Sequence, residues 1–144
     1  MNSPKIQAIL IFEVIGRPAE YLKQTLEDIE NKLNQIKGIK IKSNKINEPL
    51  PYKYKEGFFT NFSEIEVEAE NLTAFSKIMF VYIPSHIEII TPERLEIQNT
   101  NLNDFFNELA GKLHQYDEIA RILQIEKIKL TKKVKELEEK EKKN

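Results

Sequence analysis

The sequence of 144 residues contains no cysteine and no tryptophan, and only four glycines. Without cysteine there can be no disulfide, no thiolate metal ligand and no sulfur nucleophile, which points to an intracellular, cytoplasmic setting. Long apolar runs are missing too. The stretch Ala8–Phe12 is far too short to span a bilayer, and no basic segment precedes it. A soluble, unprocessed protein without membrane contact is the expectation. Neither sign of charge dominates: Lys and Arg number 22 against 23 Asp and Glu. Residues 111–144 are mildly basic, 10 against 7, which is far from the footprint of a protein held by phosphate contacts. The length suits one domain with an appendage, large enough to bury a core without staples.

What is present is pattern. Ile6, Ala8, Leu10, Phe12 and Val14 share one face while Ile9, Ile11 and Ile15 line the other, which predicts a central strand covered on both sides. Pro18, after Gly16-Arg17, suits the first turn of a helix whose Leu22, Leu26, Ile29, Leu33 and Ile36 recur every three or four residues, and Gly38 closes it. Ile39 and Ile41 inward, with Lys40 and Lys42 outward, give a second strand that runs into a lysine-rich loop containing Pro49 and Pro51. Ile65, Val67 and Ala69 against Glu64, Glu66, Glu68 and Glu70 predict a third strand with one buried and one wet face. Asn71 caps a second helix with Leu72, Phe75, Ile78, Met79 and Tyr82 as its stripe, ended by Pro84. His86 to Ile90 forms a fourth strand, and Leu95 and Ile97 a short edge strand. The order β-α-β-β-α-β defines an α+β domain of the ferredoxin-like type over residues 1–99, an antiparallel sheet with both helices on one face. Leu10, Phe12, Leu26, Ile29, Ile65, Val67 and Phe75 should share its core.

Residues 100–144 follow as a long, coiled-coil-like helix. Between Leu102 and Lys140 there is no proline and only Gly111. At about 1.5 Å per residue this stretch spans roughly 57 Å, several times the ~13 Å radius of a 100-residue domain, so much of it should project. An apolar stripe of Leu102, Phe105, Phe106, Leu109, Leu113, Tyr116, Ala120, Leu123, Leu130, Val134 and Leu137 holds one face at a three-four spacing, while Ile122, Ile125 and Ile128 lie largely opposite. Leaving those three exposed would forgo about 1.5–3 kcal/mol each. Two apolar faces need two neighbours, and a homodimer with Ile122, Ile125, Ile128, Leu130 and Val134 at its interface is expected; a hetero-partner is the other arrangement. Past Leu130, pairs such as Lys132 with Glu136 and Lys135 with Glu139 support an end that should fray. The open face of the sheet, with Ile9, Ile11, Ile15, Phe58 and Phe62, also needs a cover.

Chemistry is sparse. His114 has Asp117 and Glu118 at helical reach and Arg121 one turn further, a spacing that serves a metal or an ordinary surface ion-pair cluster equally, and no second ligand pair completes a site. His86 is a strand-end residue. No paired acid and base, activated nucleophile or phosphate loop is visible, so no catalytic residue, metal or cofactor is assigned and an enzyme is not expected. The glutamate row faces Lys40 and Lys42 as cross-strand ion pairs. Gly57-Phe58-Phe59-Thr60-Asn61-Phe62 loosely resembles the aromatic segment with which RNA-recognition motifs stack bases, and Lys53 and Lys55 lie nearby. Glu56 stands where that motif has a basic residue, and the strand continues into glutamates that repel phosphate.

Gly16-Arg17-Pro18-Ala19-Glu20-Tyr21-Leu22, at the turn from first strand to first helix, resembles the Asp-Arg-Pro-Gly-x-Leu segment of ACT regulatory domains. Ala19 stands at that family's glycine and Gly16 at its aspartate. The resemblance implies the same fold over about the first 90 residues, pairing between subunits, and a ligand at Gly16, Arg17 and Pro18. The general layout also resembles that of small archaeal proteins, which implies no function. Two functions are therefore in view: a non-enzymatic regulatory or binding module that self-associates and presents a small-molecule or protein site, or an RNA-associated protein using Phe58, Phe62, Lys53 and Lys55.

Overall fold

The computed structural model describes residues 4–144. The chain divides into two compact units, one ending at Gln98 and one starting at Asn99. In the first unit β1 (Ile6–Gly16), α1 (Ala19–Asn34), β2 (Ile39–Ile46), β3 (Leu50–Pro51), β4 (Phe59–Ala69), α2 (Leu72–Val81) and β5 (His86–Thr91) follow one another; α3 (Asn99–Lys142) is the second unit's helix. The main strands lie in the order β2-β4-β1-β5 with every neighbouring pair antiparallel. This is the ferredoxin-like βαββαβ arrangement.

The alternation that defines β1 decides the layering. Its even-numbered residues from Ile6 to Phe12 are buried, and they meet Ile65, Val67 and Ala69 of β4, Leu26, Ile29 and Leu33 of α1, and Ala74, Phe75 and Ile78 of α2 in one core. All seven residues expected to share the core belong to it. Burying such side chains stabilises the domain by about 1.5–3 kcal/mol apiece. At the helix ends the ring of Tyr82 lies 5.1 Å below the Lys32 ammonium, and the neighbouring Tyr82 hydroxyl is the main influence raising the lysine's pKa.

Capping follows side-chain chemistry. The Asn71 side chain accepts from the Ala74 amide at 2.8 Å and starts α2. Pro18 stands at the N-cap of α1 in extended backbone rather than inside its first turn. Gly38 does not close α1, which ends four residues earlier; it turns the chain into β2 at φ 87°. A Cβ there would sit 3.0 Å from that of Ala74, so both the left-handed backbone and the close approach require glycine.

Three expectations need correction. The segment after β2 is not wholly a loop, because Leu50 and Pro51 pair with Thr60 and Phe59. Leu95 and Ile97 form no edge strand: Pro92 offers no amide to a ladder, and Leu95 instead packs on the core. The helix α3 continues to Lys142, and its ion pairs among the described residues are His114–Glu118, Asp117–Arg121 and Glu126–Lys129, so the pairs expected at Lys132–Glu136 and Lys135–Glu139 are not closed. Among the described residues no helix is long and apolar enough to cross a membrane.

Candidate functional site

Three surfaces are candidates for a functional site. The first is the end of the sheet where β1 finishes and β4 begins, with Gly16 paired to Phe59. Between β3 and β4 the chain makes a tight excursion, closed by the Tyr52 amide donating to the Phe58 carbonyl at 2.8 Å and turned by Gly57 at φ 82°, a conformation favouring glycine. That excursion carries Phe58 to the β1–α1 turn. Arg17 lies over the Phe58 ring at 4.9 Å and Lys55 at 4.5 Å. Lys53 lies over Tyr54 at 4.8 Å, and Tyr54 packs edge-on to Tyr52 at 5.5 Å. Such contacts are worth about 0.5–1 kcal/mol each at exposed positions, enough to hold the cations in place without neutralising them. Two groups of residues singled out separately in the sequence thus form one cluster: Arg17, from the β1–α1 turn, and Phe58 with Lys55, from the aromatic segment and its neighbouring lysines. The tyrosines were missed, although their alternation with Lys53 and Lys55 is a visible signal.

Phe62 is not part of this cluster. It sits on the open face of the sheet opposite Glu13, in a hollow of about 390 Å³ that Ile11, Asn47, Glu64, Ser85 and His86 also line. This second surface is acidic along β4. Lys5 and Lys42 close on Glu68 at 3.2 and 3.4 Å; the Lys5 hydrogen bond first, then Lys42, hold its carboxyl below the ordinary value against the opposing effect of burial. Lys40 lies level with Glu68 in the ladder, but among the described residues it is Lys5, not Lys40, that joins Lys42 on that carboxylate. The insertion of Lys42 as a bulge between Ile41 and Ser43 re-aims the strand. Beneath the sheet, Asn61 and Ser63 extend the core face of β4 with polar side chains, and the Asn61 Nδ2 and Ser63 Oγ lack a partner among the described residues. Their burial was not anticipated, although they share the parity of Ile65, Val67 and Ala69.

The third surface is α3 by itself. No described residue of this 44-residue helix is buried. Leu123, Leu130 and Val134 are 62, 62 and 52% exposed, and Ile122, Ile125 and Ile128 are 59, 53 and 60% exposed. At 3.6 residues per turn the three isoleucines stand roughly 100–160° round the helix from Leu123. The five expected interface residues therefore fall on two sides, Leu130 and Val134 on one and the isoleucines on the other. His114 and Asp117 are engaged in separate pairs with Glu118 at 3.5 Å and Arg121 at 3.1 Å, the arrangement of a solvated helix face.

Fold and surfaces together define a ferredoxin-like domain joined to a long helix with exposed apolar lines. The MJ0538 family model matches residues 7–143, and the chain belongs to that family. No curated protein matches the sequence. Among solved structures, 30S ribosomal protein S6 from Thermotoga maritima is similar with a TM-score of 0.38 and 12% identity, over 61% of this chain and 86% of its own. A likeness at that score carries no functional argument.

Proposed function

We propose that this protein is a non-enzymatic binding module that self-associates through α3 as a homodimer and offers the cationic, aromatic end of its sheet to an anionic ligand. The observation that carries this reading is the helix: a 44-residue segment with large apolar side chains along its length and none of its described residues buried. Each such residue left in water forgoes about 1.5–3 kcal/mol, and a second copy is the commonest way to recover it. The ligand side rests on Arg17, Lys53 and Lys55, whose cations lie over aromatic rings. A guanidinium held this way can fork onto a carboxylate or phosphate, and the Gly16-Arg17-Pro18 turn is where the ACT-like reading puts a small molecule. Its expected setting is the cytoplasm.

A second reading is favoured by the same cluster: single-stranded RNA bound on Tyr52, Tyr54 and Phe58 with lysines tracking its backbone. Against it, Phe62 lies apart, opposite Glu13 in the ladder and beside Glu64, and Arg17 and Lys55 already occupy the Phe58 ring. Titrating labelled single-stranded RNA and free amino acids into the full chain at low and moderate salt separates the two. A small anion should bind with weak salt dependence and lose affinity in Arg17→Ala. RNA affinity that falls steeply with salt would favour the second reading, and binding of neither would remove the ligand half of the proposal.

A further inference from the structure

We infer that α3 pairs with α3 of a second copy as a parallel, in-register, two-stranded coiled coil. This rests on the self-association proposed above and adds the seam, the direction and the register. Leu102, Leu109, Tyr116, Leu123, Leu130 and Leu137 recur at intervals of seven residues, and Phe106, Leu113, Ala120, Lys127 and Val134 stand four residues after the first five of them. This is a heptad seam with leucine prevailing at d and a mixed a series. It runs through one uninterrupted helix, Asn99–Lys142. The isoleucines at 122, 125 and 128 fall at c, f and b and cover barely two turns. The seam runs for five heptads, and a continuous line is what a partner helix can follow.

Charge decides the direction. In a parallel pair each g residue meets the e residue five positions on in the other helix, which brings Lys112 to Asp117 and Lys133 to Glu138 of the second copy and sets no like charges together. Ile119 meets Gln124 and Glu126 meets Thr131. In an antiparallel pair g meets g and e meets e. The arrangement with fullest overlap then places Lys112 against Lys133 twice; sliding one heptad either way sets Asp117 against itself, or Glu126 against itself and Lys112 against Lys140. Every antiparallel arrangement within a heptad of full overlap thus carries a like-charged pair. Lys127, the one charged residue at an a position inside the seam, fits a dimer, where its stem lies along the seam and its ammonium reaches out towards Glu126 of the second copy. The parallel direction puts both α3 N-termini at one end of the coiled coil.

Because the chain has no cysteine, Val134→Cys supplies a single thiol. In the full chain, oxidised at micromolar concentration, it should form a disulfide-linked dimer nearly completely. The same thiol should stay reduced when Leu123→Glu and Leu130→Glu are added, and should still cross-link when Ile125→Glu and Ile128→Glu are added instead. A chain that sediments as a dimer yet fails to cross-link at 134 would overturn the parallel register while leaving self-association standing. Dimers lost with the isoleucine changes but not with the leucine changes would overturn the seam. A monomer in sedimentation would overturn self-association itself.

Discussion

The two units of this chain solve the same problem in opposite ways. Up to Gln98 strand alternation and helix stripes converge on one core, in which Ala8, Leu10, Leu26, Leu33, Ile65 and Val67 are fully excluded from solvent while Ile15, Ile83 and Ile90 stay exposed. In α3 a pattern just as regular leaves no described residue buried, and leucines spaced seven apart stay more than half exposed at positions such as 123, 130 and 137. Periodicity alone does not distinguish them. A domain core is closed by non-local pairs, as when β1 meets β4 along its whole length, whereas the residues of one helix cannot bury its own seam against each other. On the proposed reading the first unit is stable alone and the second in company.

The sharpest way to break that comparison is to damage one unit and read the other. Phe12→Ala empties the centre of the core, where Phe12 is 2% exposed, and should cost about 3–5 kcal/mol, a large share of the 5–15 kcal/mol typical of a domain. Denaturant unfolding followed by tyrosine fluorescence should show the loss, while light scattering still reports association through α3. A variant that loses both would mean that the units are not independent. In the other direction, Lys127→Ile removes the charge from the seam and should stabilise the associated helix by about 1.5–3 kcal/mol per copy, raising the melting temperature read by circular dichroism at 222 nm, at the expense of a defined oligomer number. No gain would place Lys127 outside the buried seam.

The smallest effect concerns Glu68. Its carboxyl is held below the ordinary value by Lys5 first and Lys42 second, so its contribution to folding is complete above the unfolded-state pKa and disappears as pH falls through the depressed folded value. Domain stability should therefore decline through the acidic range, and Lys5→Met should flatten that decline. An unchanged slope in the variant would show that the Lys5 contact leaves the titration untouched.

Much of the first unit was legible in its sequence because each signal there was local and agreed with the next. The alternation from Glu64 to Glu70 marked the wet and buried faces of β4, and Asn71 marked the start of α2. What escaped depended on distant geometry. Nothing local tells that Leu50-Pro51 will pair with β4, that Lys42 will bulge out of register, or that Leu95 will turn back onto the core after Pro92. The cationic cluster escaped for the same reason: Arg17 and Phe58 lie far apart in sequence and meet only because Gly16 pairs with Phe59. In α3, by contrast, what bears on the proposed assembly is local, yet the sequence reading put Ile122, Ile125 and Ile128 at the interface together with Leu130 and Val134, and residue spacing alone did not separate those two sides.

Multi-angle light scattering of the full chain beside residues 1–98, both at micromolar concentration and with circular dichroism to confirm folding, puts the division of labour to its most direct test. The full chain should give twice its 16.9 kDa, and the shortened chain should be a folded monomer. A full chain that scatters as a monomer, or a shortened chain that remains a dimer, would contradict the assignment of assembly to α3.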